Sequence, residues 1–346
     1  MEHSATNGAY ICVCEYIWIG SSMFNKEFRF DIRSKTKVIN TFFGSTHTFI
    51  IPEWNYDASS TNQAPSNGDT EGILKPVAIY NNPLRKIDGC ESILVLCETY
   101  DSNGKPFKSN TRCNAVNIFN SKIAEFSWFG LEQEYFIFKS KEDEKTLENP
   151  TTHYCGSATC LERQIVEKHL QLCLGAELTI SGINAEVANN QWEFQIGPCE
   201  GIKAADDLVV ARYLLERLAE DFGVIISYEP KPSYHANGSG CHTNFSTELM
   251  RSIGGVQEIY KAINKLQQKH DEHISVYGKD NNFRLTGEHE TASFREFSYG
   301  VGTRNTSVRI PNHVVKNGCG YFEDRRPAAN MDPYVVTSKI FETCCL

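Results

Sequence analysis

The segment Leu131-Glu132-Gln133-Glu134-Tyr135 limits the fold more than any other, because it sets two acids inside an aromatic run of Phe126, Trp128, Phe129, Phe136 and Phe138. Side chains alternate along a strand, so Glu132 and Glu134 share one face while Gln133 and Tyr135 share the other. Two carboxylates about 6 Å apart repel by about 3 kcal/mol at an effective dielectric near 20. Keeping both on one strand argues for a cation beside them. A solvent-facing acidic edge is the competing reading of this motif alone.

Two further elements follow the same rule of two. In Gln191-Trp192-Glu193-Phe194-Gln195-Ile196-Gly197-Pro198, Gln191, Glu193 and Gln195 lie on a polar face and Trp192, Phe194 and Ile196 on a packing face. Glu186, in Asn184-Ala185-Glu186, would diverge from Glu193 on a flat strand, and Asn189-Asn190 offers the turn that could bring them together. In Asn237-Gly238-Ser239-Gly240-Cys241-His242-Thr243-Asn244-Phe245-Ser246 the glycines permit close backbone approach, and His242, Asn244 and Ser246 alternate onto one face. Alone, His242 reads as a structural histidine; beside four glutamates it becomes a candidate ligand.

The last third adds Arg284, Arg304, Arg309, Arg325 and Arg326, with Glu323 on the strand face of Arg325. Guanidinium groups suit paired capture of carboxylate and phosphate oxygens, with surface ion pairing the alternative for any one of them. Carboxylates with one histidine and no thiolate point to Mg²⁺ or Mn²⁺ rather than zinc. Neither a Walker P-loop nor a complete G-x-G-x-x-G is present, so a nucleotide here would depend on metals and arginines.

A chain of 346 residues is too long for one small core, and two domains are expected. A net charge of -9 and a pI of about 5.6 argue against a nucleic-acid partner. A small anionic substrate stays open, since local arginines can oppose the global sign. No run approaches the roughly 18 apolar residues of a membrane helix. Ala9 to Gly20 contains Glu15 and reads as a strand, not a targeting segment. Thirteen cysteines, an odd count with no C-x-x-C spacing, predict reduced thiols and a soluble, cytoplasmic chain.

Strand patterns cover Cys12 to Ile19 and Ser92 to Glu98, and Asn103-Gly104 before Pro106 marks a turn and a domain boundary. Helical spacing links Leu208, Ala211, Leu215, Leu218 and Phe222, stopping at the cap Gly223. Ile165, His169 and Cys173 predict a second helix, and Val256, Ile259, Ile263 and Leu266 a third. Asp57 to Gly72 has loop composition, and the charged run Lys139 to Asn149 reads as a solvated loop tip.

Glu53-Trp54-Asn55-Tyr56-Asp57-Ala58-Ser59-Ser60-Thr61, the Leu131 to Tyr135 segment, Asn184 to Pro198, Gly240 to Ser246, Arg284 to Glu290, Arg309-Ile310-Pro311 and Tyr321 to Asn330 together resemble glutamine synthetase of the eukaryotic type (type II). The resemblance runs in order from about Tyr16 to the end of the chain. It implies an α+β fold, with a small N-terminal β-grasp domain over 1–104 and a larger catalytic α/β domain over 105–346, built on an antiparallel sheet. It also implies ATP-dependent ligation of ammonium to L-glutamate through an acyl phosphate, and a homo-oligomer of stacked rings.

By position, the resemblance assigns Glu134, Glu186 and Glu193 to one metal, and Glu132, His242 and Glu323 to a second. Asp57 would deprotonate ammonium, and Glu290 would be a flap carboxylate. Asn237, Arg284, Arg304 and Arg325 would face glutamate or the transferred phosphoryl group. Trp128, Glu132, Asn244, Ser246, Arg309 and Tyr321 would serve the nucleotide. The chain departs from the pattern at His235-Ala236, where the family usually has Asn-Trp and one more residue. It also carries the charged Lys139 to Asn149 run where a Gly/Pro-rich stretch is expected, Ala58 for a glycine, and Thr303 for an asparagine. A catalytically silent structural relative is therefore the competing reading, and a tryptophan at position 236 is expected to tighten glutamate binding if the loop has room for the ring.

Overall fold

A computed structural model describes residues 9–21, 23–24, 27–28, 31–42, 50–150, 152–157, 162–288 and 291–346. The chain divides into two units, Met1–Cys113 with Leu174–Leu178, and Asn114–Cys173 with Thr179–Leu346. Strands of the first are β1 (Ala9–Ile19), β2 (Met23–Phe24), β3 (Glu27–Phe28), β4 (Ile32–Phe42), β5 (Trp54–Asp57), β6 (Glu71–Asn81) and β7 (Cys90–Asp101). They form a five-stranded sheet in the order β4-β1-β7-β6-β5, with β2 and β3 pairing separately.

At the centre of this sheet β1 and β7 run parallel, while the outer pairs are antiparallel. Residues on both faces of β1 are buried, which explains why it is apolar almost throughout rather than alternating. Cys12, Cys14, Tyr16 and Trp18 pack with Tyr56, Leu74, Val95 and Cys97, while Val13 and Ile17 are buried as well. The thiols of Cys12 and Cys14 lie 3.6 Å apart, and the cysteines among the described residues are free.

Next come α1 (Thr111–Ser121), β8 (Trp128–Phe138), α2 (Arg163–Gly175), β9 (Ile180–Ala185), β10 (Gln191–Glu200), α3 (Lys203–Phe222) and β11 (Ile225–Ser227). After them lie β12 (Cys241–Ser246), α4 (Glu248–Arg251), α5 (Val256–Gln268), α6 (His270–Ile274), β13 (Tyr299–Val301), β14 (Val308–Ile310), α7 (Asn312–Asn317), β15 (Phe322–Asp324) and α8 (Pro333–Cys345). Eight strands make one sheet among the described residues, ordered β13-β14-β15-β12-β8-β10-β9, with β11 also on β8. It is antiparallel except for β13 against β14.

All three helices expected from spacing are present, and Gly223 ends α3 with φ +62°, where a side chain would be strained. The charged run differs from expectation. Lys141–Thr146 forms a short 3-10 helix closed by Ser140 and Asp143, and Leu147 beyond it is 2% exposed. Arg326 also departs from a surface role, because its guanidinium makes a fully buried ion pair with Asp324.

β8 sits between β12 and β10, so both of its hydrogen-bonding edges are paired. On the face toward α3, the Gln133 amide oxygen accepts from Arg212 Nε at 2.8 Å and Nη2 at 2.5 Å, while Arg212 also donates to the carbonyls of Ala329 and Met331. This buried guanidinium ties α3, β8 and the 329–331 segment at the residue between Glu132 and Glu134. Replacing it strands the Gln133 amide oxygen and the Met331 carbonyl without solvent, while the Ala329 carbonyl keeps the Gln133 amide N–H. Arg212→Met should lower unfolding free energy by about 3 kcal/mol in denaturant titration; an unchanged midpoint would show that this clamp contributes nothing.

Candidate active site

The alternation expected for β8 sends Glu132 and Glu134 to the sheet face opposite Arg212, and register then supplies their companions. Glu134 lies opposite Glu193 on β10, and Glu132 opposite His242 on β12. Asn244 on β12 pairs with Glu323 on β15. Asn190, at φ +62°, turns the chain so that Glu186 returns beside Glu193. The outcome is two groups: Glu132, His242 and Glu323 in one, Glu134, Glu186 and Glu193 in the other, each with donor atoms within 4.8 Å of one another.

Those spacings fit a hard divalent ion. Oxygen ligands at about 2.1 Å from Mg²⁺ are at most about 4.2 Å apart, so only small movements are needed. The donor set is five carboxylates and one imidazole with no thiolate, which suits Mg²⁺ or Mn²⁺.

Burial and mutual repulsion shape the acids. Glu134 is pushed up to about 8 by burial and by the charge of Glu186, and Glu193 to about 9 by burial and its three neighbouring glutamates. Burial also raises Glu132 and Glu186. Amides hold these carboxylates in place: Gln191 and Gly240 N–H donate to Glu134, Asn184 to Glu186, Asn244 to Glu132, and Gln195 to Glu193.

His242 is neutral, its basicity pushed well below the usual range first by burial and then by Arg325. Its Nε2 faces Arg284 Nη2 at 3.1 Å, and its Nδ1 faces Glu132 at 3.4 Å and Glu323 at 3.5 Å. Gly240 makes this approach possible, because a Cβ there would overlap the Arg284 guanidinium. Arg284 also donates to the carbonyls of Arg325 and Arg326, so its fork is partly spent on backbone. Glu323 takes Arg325 at 2.6 Å and Arg309 at 3.2 Å.

The six clustered residues line a cleft of about 210 Å³ together with Asn237, Arg284, Arg304, Arg309 and Arg325. Trp128, Asn244, Ser246 and Tyr321 do not line it, although Asn244 reaches it through Glu132. Asp57 belongs to the first unit, where the hydroxyl of Ser60, then that of Ser59, and the Ser59 N–H hold its carboxyl down at about 2. Glu290 lies outside the described residues.

Several functional residues were not anticipated. Asn184, Gln191 and Gln195 hold the acids, and the shared strand face of Gln191, Glu193 and Gln195 was the available signal. Arg251 lies 4.0 Å over the Trp128 ring and donates to the Ser246 hydroxyl and carbonyl, an association that no local pattern announces. Tyr154 and Thr291 also line the cleft. The expectation for position 236 is corrected: Ala236 is fully buried among Phe136, Phe138, Leu147 and Ala188, so an indole there would overpack the cluster.

Residues 120–345 match the glutamine synthetase catalytic domain. A relative from Acanthamoeba polyphaga mimivirus is 50% identical over 343 residues, covering 97% of this chain and 94% of that one. Glutamine synthetase of Yarrowia lipolytica is 47% identical over 348 residues, covering 96% and 90%. That of Saccharomyces cerevisiae is 47% identical over 344 residues, covering 96% and 89%.

Without a bound cation, Glu134 and Glu193 keep their protons to about 8 and 9 when folded but release them near 4.5 when unfolded. Between these values the folded chain holds more protons, so its stability must fall as pH rises. Calorimetry of the metal-free protein should show the melting temperature dropping from about pH 6 to about pH 9. Mn²⁺ should stabilise most at the upper end, where fewer protons are displaced. Glu193→Gln should flatten the profile; a metal-free melting temperature that rises with pH would contradict the assigned cause.

Proposed function

The chain belongs to the glutamine synthetase family, and from that premise we infer that it is a glutamate-ammonia ligase, joining ammonia to the γ-carboxylate of L-glutamate with ATP through a γ-glutamyl phosphate. The observation that carries the reading is one cleft holding two three-residue donor groups beside several arginines. A silent structural relative is less well supported, because a chain drifting away from turnover has no reason to keep a buried, mutually repelling set of acids.

In this reading Glu134, Glu186 and Glu193 hold one Mg²⁺ or Mn²⁺, and Glu132, His242 and Glu323 the other. Bound there, the ions would neutralise phosphate charge and orient the terminal phosphoryl group. Arg304, Arg309 and Arg325 oppose the charge that develops on the phosphoryl oxygens as the glutamate γ-carboxylate attacks. Arg325 and Arg309 must then exchange part of their hold on Glu323 for the phosphate. Asn237 receives glutamate, and Arg284 acts chiefly by fixing His242 and the 325–326 backbone.

Trp128, Asn244, Ser246 and Tyr321 take the nucleotide side, with Arg251 stiffening the Trp128 ring. Ammonium has no lone pair, so a base must remove a proton before nitrogen attacks. Asp57 stays ionised at any ordinary pH, which suits it to attract ammonium; held down at about 2 it is a weak base, so it takes that proton only as the Ser60 and Ser59 hydroxyls release it. Glu290 would shield the acyl phosphate from water. The assembly is a homo-oligomeric ring, testable by light scattering, and the compartment is the cytoplasm. Among the described residues no helix is long and apolar enough to cross a membrane.

Glutamine formation from glutamate, ammonium and ATP with Mg²⁺ or Mn²⁺ tests the activity directly. A folded preparation that makes neither glutamine nor γ-glutamyl hydroxamate would overturn it. Glu134→Ala should cut turnover at least about 100-fold while the chain stays folded, and should shrink stabilisation by Mn²⁺. Asp57→Asn should lower kcat/KM for ammonium by about 100-fold or more with metal binding intact; equal loss with hydroxylamine, which brings its own lone pair, would argue against a proton-accepting role.

A further inference from the structure

We propose that Asn149 is a positioning residue that sets which end of the Asn237 amide is offered to substrate; the proposal rests on Asn237 receiving glutamate. Asn149 Nδ2 donates to Asn237 Oδ1 at 2.9 Å, and the Asn237 backbone N–H donates to Asn149 Oδ1 at 2.9 Å. One side chain thus holds both the main chain and the amide of its partner. With its oxygen occupied, Asn237 turns its NH₂ to the remaining direction, where a carboxylate oxygen can accept from it. Released from Asn149, the amide can rotate and present its oxygen, which repels a carboxylate.

Asn149 is itself held by its neighbours in sequence. Glu148 N–H donates to Asn189 Oδ1 at 2.7 Å, and Asn189 N–H donates to the Glu148 carbonyl at 2.9 Å. Leu147 is sunk in the cluster that contains Ala188 and Ala236. Three consecutive residues therefore grip an apolar cluster, the turn between Glu186 and Glu193, and the glycine-rich loop at Asn237. Asn237 lines the cleft and Asn149 does not, so its influence on substrate passes through Asn237.

The test compares Asn149→Ala, Asn149→Asp, Asn237→Ala and the Asn149→Ala/Asn237→Ala pair in the full-length assembly. Glutamate KM, ATP KM and kcat are measured by steady-state kinetics, Mn²⁺ affinity by calorimetry and folding by circular dichroism. Asn149→Ala should raise glutamate KM roughly tenfold, with kcat, ATP KM and Mn²⁺ affinity within about twofold. Asn149→Asp should do no better, since its carboxylate accepts from the Asn237 backbone but draws the NH₂ toward itself. The pair should match Asn237→Ala alone, because one residue acts through the other.

If Asn237→Ala leaves glutamate KM unchanged, the assignment of Asn237 fails and takes the proposal with it. If Asn237→Ala raises KM and Asn149→Ala does not, the assignment stands and the proposal is overturned. Parallel loss of glutamate, ATP and Mn²⁺ binding, or failure of both Asn149 variants to fold, makes Asn149 a structural residue and also overturns it.

Discussion

Mutual repulsion among Glu132, Glu134, Glu186 and Glu193 is the constraint around which the second unit is arranged. Charges that would disperse in water are held on one sheet face, and burial removes the solvent that could screen them. Part of the cost is met by protonation, since Glu134 and Glu193 are displaced far above ordinary glutamate values. Part is met by amides, with Gln191, Asn184, Gln195 and Asn244 each donating to one carboxylate. Neither device neutralises the cluster once the acids ionise, which is the state in which a divalent ion binds best. On the reverse face Arg212 fixes Gln133, so the strand that carries two of the acids cannot yield to relieve them.

The opposite sign is arranged just as deliberately, and Glu323 is where the two meet. It belongs to the group with Glu132 and His242, yet both Arg325 and Arg309 reach it. A cation bound beside Glu323 would compete with those guanidinium groups and would free donors for an anion. Under the proposed function, entry of a metal and of a phosphate would thus favour each other within one cleft. The chain's net charge of -9 is no obstacle, because local field rather than global sign governs capture of a small anion.

Much of this was readable from residue spacing. Period-two alternation located Glu132, Glu134 and Glu193 on one kind of face, helical spacing found α2, α3 and α5, and Asn189-Asn190 gave the turn that returns Glu186. What spacing could not supply was strand order. That β12 lies beside β8 and β15 beyond it depends on side-chain packing between distant segments, so the company of His242 and Glu323 rested on the family resemblance. Arg326 and Arg284 illustrate the same limit. Both looked like ligand-seeking arginines, yet Arg326 is sealed against Asp324 and Arg284 is largely engaged with carbonyl oxygens, and only the fold tells which arginines have donors to spare. Asp57 was picked out only by the family resemblance, within a stretch of loop composition, and its depressed affinity for protons comes from the particular hydroxyls of Ser60 and Ser59.

The departures from the family pattern also change meaning once their side chains are located. His235-Ala236 and the run Lys139 to Asn149, read separately, suggest loops eroding around an otherwise complete site. In space they touch, because Ala236 and Leu147 share one buried cluster and Asn149 holds Asn237. Replacing a large aromatic by alanine leaves volume that a core must fill. Here Leu147, with Phe136 and Phe138, occupies the surroundings of the small residue. Two residues beyond Leu147, Asn149 reaches the loop at Asn237. In this chain the two departing segments therefore brace each other, and together they tie the glycine-rich loop to the turn between Glu186 and Glu193.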